Sequence, residues 1–362
     1  MRHIALALVI SQTLLAVATG AQAPTRNVVI ITIDGLRWQE MFGGADSTYF
    51  KKDSNGQAPE IAKRYMRPTA EERRAMLLPF MWSDIAQQGQ IFGDPSRKSR
   101  AHLTNGLWFS YPGYNEMFSG AADPRINSND KIPNPNVTVL EWLNRQSGFE
   151  GKVAAFGAWD VLPSIVNTGR SRIPVGSGFM PVPSAKTDRQ RWINEMAQDL
   201  PRYWEYGTFD APIVAAAIEC LRTDKPRVIY VMLGEGDEWA HEGRYDLYLD
   251  AAQRADRFIK RIWETLQSLP EYKGQTTLLV TTDHGRGATL EDWADHGRDV
   301  PAAEATWMAA IGAGVPALGV RDGITVTTAQ LAATIAAVVG EDFNAAAPKA
   351  APALAGIGGV RK

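Results

Sequence analysis

The sequence predicts an α/β fold, a three-layer α/β/α arrangement around a mostly parallel central sheet. Three observations carry this. Charge-free runs at 27–33, 228–233 and 276–282 are rich in Val, Ile and Thr, the composition of strands buried on both faces. Segments of helical period separate them, as βαβ units require. Each run also opens onto an acid, Asp34, Asp237 or Asp283, at the end where a parallel sheet collects its ligands.

The chain begins with what reads as a secretory signal over residues 1–23. Arg2 and His3 precede an apolar stretch, and Ala21-Gln22-Ala23 forms a small-x-small cleavage site. The apolar stretch is shorter than the ~20 residues of a membrane span. Cleavage is expected after Ala23, or after Ala21 if Pro24 hinders it, and no later run is long enough to span. Residues 24–362 are then expected to form a single domain. Cys220 is the only cysteine, so no intramolecular disulfide can form, which suits export to a bacterial periplasm. With 45% apolar residues the chain can build a large core. A net charge of -2 and no basic run argue against nucleic-acid binding through a charged surface.

Residues 27–34 read as a central strand ending in Asp34-Gly35. Residues 44–76 are polar and mixed in charge, so loops with helical pieces are expected. Residues 77–88 have helical spacing, and 90–93 a short strand. An apolar segment then runs into Ser110, with Pro112 where only a first helical turn accepts it. Ser110 is therefore expected as a helix N-cap, a place that also binds phosphate or sulfate. Residues 121–137 are loop, 138–145 a helix, 152–156 a strand, and 161–188 a long surface connection.

Helical patterns follow at 190–200 and 211–221, then the strand at 227–233. Asp237 and His241 stand four apart, on one face if they share a helical turn. A long helix is expected over 244–266, with Tyr248, Ala252, Ala255, Ile259 and Ile262 as its apolar face. The run at 276–283 ends in Asp283-His284-Gly285, and His296 lies in a polar loop beyond. A last strand is expected at 305–311. The spacing predicts a helix over 327–339, with Thr327 and Gln330 as a capping box and Gly340 as its stop. Residues 351–362 read as a loose tail.

The chain holds five histidines, one of them in the signal segment. Of the other four, His241, His284 and His296 each lie close to an Asp. Six ligand-type residues, Asp34, Asp237, His241, Asp283, His284 and His296, can make two sites of three protein ligands each. Open positions would remain at both, the pattern of catalytic rather than structural metals. Nitrogen and oxygen donors together suit zinc, with manganese as the alternative.

These motifs, in this order and spacing, resemble the alkaline phosphatase superfamily over about residues 27–341. The nearest likeness is to its nucleotide pyrophosphatase/phosphodiesterase and phosphoglyceromutase-like branch. The resemblance implies that Ser110, in Ser110-Tyr111-Pro112 with Gly120 beyond, is the nucleophile. It implies one metal at Asp34, Ser110, Asp283 and His284, and another at Asp237, His241 and His296. It implies a phosphoserine intermediate and a small phosphate ester or nucleotide as substrate. Tyr111 falls where those diesterases place an aromatic against the nucleotide base. Asn115, Asn129 and Asn134 compete for the family's phosphate-holding asparagine, and the expectation is placed on Asn115. Arg37 and Arg286, each just after a ligand motif, are expected to neutralise further substrate charge.

Departures bear on the branch. Sulfatases of the superfamily carry Arg two residues after the Pro, where this chain has Tyr114. The interval from Ser110 to Asp237 is short for the inserted domain of the mutases. No Gly-x-Ser-x-Gly elbow exists, which excludes the usual serine hydrolase. The alternatives are a sulfatase-like hydrolase of the same fold and an exported metal-binding protein without catalysis.

Overall fold

The computed structural model describes residues 26–51 and 59–358. The signal segment, its cleavage site and the end of the tail lie outside the described residues.

Eight strands form the central sheet: β1 (Asn27–Ile33), β2 (Gln90–Phe92), β3 (Val153–Gly157), β4 (Val175–Ser177), β5 (Val228–Leu233), β6 (Thr276–Thr281), β7 (Met308–Gly312) and β8 (Gly319–Val320). Their spatial order is β8-β2-β7-β6-β1-β5-β3-β4. All pairings are parallel except those of β7, which runs antiparallel to β2 and β6. The predicted three-layer, mostly parallel α/β architecture is what the chain forms.

Side-chain alternation on β1 explains the layers. Val29, Ile31 and Ile33 enter one buried cluster, Val28 and Ile30 the other. The first cluster takes Tyr248, Ala252, Ala255, Ile259 and Ile262 of the long helix Tyr245–Ser268. The second packs helices Ser110–Ser119 and Gln330–Val338 on the opposite face. Each fully buried Val or Ile stabilises the sheet by about 1.5–3 kcal/mol.

Several local expectations change. The connection at 161–188 is not a plain surface strap. It holds two short helices and the edge strand β4, and it buries Val161, Leu162, Ile165, Val166 and Ile173. The last strand divides: Ala305–Thr306 joins a small second sheet, and β7 begins after the fully buried Trp307. The helix expected over 327–339 starts at Gln330, after a strand Thr325–Thr327, and a short helix Phe343–Ala346 follows it. Half of the expected capping box remains, Thr327 N–H donating to Gln330 Oε1 at 3.0 Å. The described part of the tail packs down, burying Leu354 and Ile357, with Leu354 N–H on Thr334 Oγ1 at 2.8 Å. Among the described residues no helix is long and apolar enough to cross a membrane.

Candidate metal centre

Three neighbouring strands end level. In register Ile33 faces Leu233, and Thr32 faces Thr281. The residues that follow therefore share one layer at the carboxyl edge of the sheet. Asp34 follows β1, and Asp283 and His284 follow β6. Helix Glu235–His241 leaves β5 and carries Asp237 and His241 one turn apart. His296 arrives from the loop beyond β6.

Two groups of ligand-type side chains result, Asp34 with Asp283 and His284, and Asp237 with His241 and His296. Within each group one donor atom per residue lies within 4.8 Å of the others. His284 Nε2 is 3.2 Å from Asp34 Oδ1 and 3.6 Å from Asp283 Oδ2. His241 Nε2 is 3.2 Å from Asp237 Oδ2 and 3.1 Å from His296 Nε2. Asp237 Oδ1 joins the groups, 3.7 Å from both His284 Nε2 and His296 Nε2.

The donor set fits divalent cations. Asp34 Oδ1 and Asp283 Oδ2 are buried with no hydrogen-bond donor, facing only the His284 ring nitrogen. His284 Nδ1 lies 2.8 Å from the Gly285 carbonyl, so the proton belongs there and Nε2 turns a lone pair toward two carboxylates. Acceptors facing acceptors in a buried cluster need a cation between them. In its absence a proton competes for the same place. Burial lowers His284, but Asp283 and Asp34 outweigh it and raise the imidazole to about 9. Burial and then Asp34 raise the Asp283 carboxyl to about 7. Burial lowers both His241 and His296 and keeps them in the neutral form a metal requires.

Neighbours aim the ligands. Tyr114 O–H donates to Asp34 Oδ2 at 2.9 Å, and Gly35 N–H to Asp283 Oδ1 at 3.2 Å. Arg286 ion-pairs with Asp237 Oδ1 and donates to the Asp237 carbonyl at 3.2 Å. Gly35 has φ +61, and a Cβ there would stand 2.7 Å from Arg286 Nε and 2.9 Å from Asp237 Oδ1. Glycine after Asp34 is thus a condition for the Arg286–Asp237 contact. A Cβ on Gly113 would lie 2.4 Å from the Asp283 carbonyl, so the helix that follows Ser110 is pressed against the end of β6.

Ser110 is the first residue of its helix, and Phe109 holds the cap position without a side-chain bond. The serine is not the expected N-cap. Its hydroxyl stands 3.3 Å from His284 Nε2 instead. The expected array of free amides is also reduced. Tyr111 N–H donates to Asn129 Oδ1 at 3.0 Å, and Pro112 has none, which leaves the amide of Ser110 itself. Ser110 opens into a cavity of about 580 Å³ that Asp34, Asp237, His241 and His296 also line.

The four residues expected at the substrate lie elsewhere. Arg37 is fully buried, paired with Glu40 and donating to the Gly287 carbonyl at 2.8 Å. Arg286 is committed to Asp237 behind the ligand layer. Tyr111 points into the core, its hydroxyl donating to the Ile132 carbonyl at 2.6 Å. Asn115 is buried, its Oδ1 accepting from Asn134 at 3.2 Å and Asn136 at 3.0 Å. Of the three competing asparagines, Asn129 is the one that lines the cavity.

Sequence reasoning missed Trp159, Tyr206, Lys131 and Glu238, which complete the wall. Trp159 and Tyr206 come together because Asp160 N–H donates to the Tyr206 carbonyl at 2.9 Å across two distant segments. Lys131 pairs with Asp160 at 2.6 Å. Burial, then Asp34, raises the Glu238 carboxyl to about 7. Its place beside Asp237 was the one available signal.

Fold and site together place two groups of ligand-type side chains, each able to hold a metal ion, at the carboxyl end of a parallel sheet. Residues 205–306 match the family model described as Metalloenzyme superfamily. That segment carries every ligand-type residue except Asp34. The fold resembles a putative sulfatase from Bacteroides thetaiotaomicron, with TM-score 0.57 and 13% identity over 92% of this chain and 74% of that one. It resembles a protein in the alkaline phosphatase superfamily from Vibrio parahaemolyticus, at 0.52 and 14% over 89% and 68%. It also resembles the lipoteichoic acid synthase LtaP from Listeria monocytogenes, at 0.54 and 9% over 88% and 73%. No curated protein matches the chain in sequence. The motifs that resemble the alkaline phosphatase superfamily thus sit in a fold like that of these structures, and the family-model match covers the segment that carries five of the six ligand-type residues.

Proposed function

We propose that the protein is an exported phosphodiesterase that loads two divalent ions, zinc by its donor set, and uses Ser110 as nucleophile. The observation that carries this is the Ser110 hydroxyl, set at a helix start between the cavity and His284. When bound, the ions supply Lewis acidity and charge neutralisation at the attacked and leaving oxygens. Asp34, Asp283 and His284 would hold one, and Asp237, His241 and His296 the other. Ser110 Oγ forms a bond to phosphorus as the bond to one alkoxide breaks, the serine proton leaving with that alcohol, and the phosphoryl group on the serine keeps the second ester group of a diester. Water then cleaves the bond between serine and phosphorus and releases the phosphate monoester. The free amide of Ser110 and the side-chain amide of Asn129 are placed to donate to a non-bridging oxygen.

The charges of the cavity favour a diester. Lys131 is its one lysine or arginine among the described lining residues, and that amine is neutralised by Asp160. Arg37 and Arg286 are withheld behind Glu40 and Asp237. Asp130 and Glu238 add acids to the wall. A diester brings one negative charge, a phosphate monoester up to two, and nothing in the wall meets the second. Trp159 and Tyr206 offer apolar surface to the organic group of the ester.

A sulfate ester is also a monoanion, and the likeness to a putative sulfatase keeps that reading in view. Against it, Tyr114 stands where sulfatases carry Arg, and its hydroxyl is spent on Asp34. Rates on bis(4-nitrophenyl) phosphate, 4-nitrophenyl phosphate and 4-nitrophenyl sulfate, with zinc restored after chelation, decide. The expected order is diester, then monoester, then sulfate. A faster sulfate reaction would transfer the assignment to the sulfatases.

A further inference from the structure

The six residues before the nucleophile are folded back onto its own helix. Glu116, with no exposed surface, lies on that helix beyond Ser110. Its carboxylate accepts from Thr104 N–H at 2.9 and 3.0 Å, from Thr104 O–H at 3.0 Å, and from Asn105 Nδ2 at 3.0 Å. Asn105 passes the constraint on, its Oδ1 accepting from Leu107 N–H at 2.8 Å and Trp108 N–H at 3.0 Å. Trp108 takes φ +53, a left-handed conformation that non-glycine residues rarely adopt. Phe109 then returns to extended backbone, and Ser110 begins the helix.

We propose that Glu116 and Asn105 are positioning residues for the nucleophile, holding Trp108 left-handed so that the Ser110 hydroxyl meets the ligand layer. This rests on the reading of Ser110 as nucleophile. The physical case is closure: both ends of the 104–110 segment are fixed to one helix, so the turn and the serine move as one body. A tryptophan at positive φ persists only where its surroundings over-determine it, and such strain gathers at functional sites. Asn105 accepts from two successive amides of this turn, and Arg298 Nε donates to the Gly106 carbonyl at 3.4 Å. A loop needed only for packing would satisfy those amides with Trp108 in an ordinary conformation.

Two variants test this. Glu116→Gln keeps the shape but turns one acceptor oxygen into a donor that faces donors. Asn105→Ala, at a half-buried position, cuts the second link and removes one donor from the buried Glu116 carboxylate, which keeps those of Thr104. Each should keep its metal content and lose on the order of 10²-fold in kcat with KM nearly unchanged, since a misplaced reacting atom of ~1 Å has that effect. A crystal structure of Asn105→Ala should show residue 108 at negative φ and Ser110 Oγ withdrawn from His284. That readout needs no substrate. A wild type inert on all phosphate and sulfate esters would refute the function while this crystallographic test still stands. Trp108 unchanged at positive φ, full kcat in Asn105→Ala, or kcat lost only together with the metals would overturn the proposal.

Discussion

Ser110→Ala separates chemistry from folding, because the structure gives the hydroxyl little else to do. It makes no cap bond, so the ~1 kcal/mol that an N-cap serine contributes is not at stake. What it loses is a 3.3 Å contact to His284 Nε2, worth roughly 0.5–1.5 kcal/mol. Alanine offsets part of this, being the better helix former by a few tenths of a kcal/mol. The melting midpoint should therefore move by no more than about 5 °C, at ~2–4 °C per kcal/mol. The three protein ligands beside it, Asp34, Asp283 and His284, remain, so metal content should hold near wild type. Turnover of the best ester should fall by several orders of magnitude, on the order of 10⁴ or more, as it does when a covalent nucleophile is deleted. Ser110→Thr should keep part of the rate. Wild type acid-quenched during turnover of a diester should carry the phosphoryl group with its remaining ester on residue 110. Turnover in Ser110→Ala within tenfold of wild type, at equal metal content, would refute the nucleophile and turn attention to Thr104 or Ser119.

Three further outcomes are expected. Chelation should lower the melting midpoint by on the order of 10 °C, since two ions at ~100 times their dissociation constants add roughly 5 kcal/mol to the native state. Fewer than two equivalents of zinc in elemental analysis, or a midpoint blind to chelators, contradicts the two-ion reading. Asp256 is buried on the long helix and accepts from Phe80 N–H at 2.8 Å and Met81 N–H at 2.9 Å. Burial raises its carboxyl to about 7, against ~3.9 unfolded, so its stabilising contribution is full below ~3.9 and is lost as pH rises through about 7. Across that window wild type should lose up to roughly 4 kcal/mol that Asp256→Asn does not, at ~1.4 kcal/mol per pH unit. Urea unfolding curves that stay parallel from pH 4 to 8 would refute this. For export, N-terminal sequencing of periplasmic protein should begin at Pro24 or Gln22, and a mature chain retaining Met1 in the cytosol contradicts it.

The ligand layer was legible because its signals are local. A buried parallel strand announces itself by Val and Ile without charges, and the acid at its end is then conspicuous, as with Asp34 and Asp283. Asp237 and His241 needed only helical spacing. What the sequence hides is who faces whom across the fold. Glu40, three residues after Arg37, could have shown that this arginine was already paired. No local signal ties Arg286 to Asp237, which lies on another strand's end. Tyr111 and Asn129 illustrate the same limit. The residue beside Ser110 turned into the core, and one from the loop beyond lines the cavity. The tail looked loose because Leu354 and Ile357 are thinly spread among Ala, Gly and Pro, yet each finds a buried seat.

The two arginines also say how the centre holds together. A buried guanidinium without its partner would be strongly destabilising, about 3–5 kcal/mol when one member of such a pair is removed. Arg286, fully buried, is therefore bound to Asp237 as firmly as Asp237 is bound to it. That carboxylate is the one whose oxygen stands at equal distance from His284 and His296, between the two ligand groups. Fixing it fixes their separation before any cation arrives. Arg286 is engaged in holding this span and, under the proposed function, would not meet a second substrate charge. Under the proposed function, selection among esters would fall to Asn129, to the amide of Ser110 and to the Trp159–Tyr206 wall, none of which needs a doubly charged phosphate.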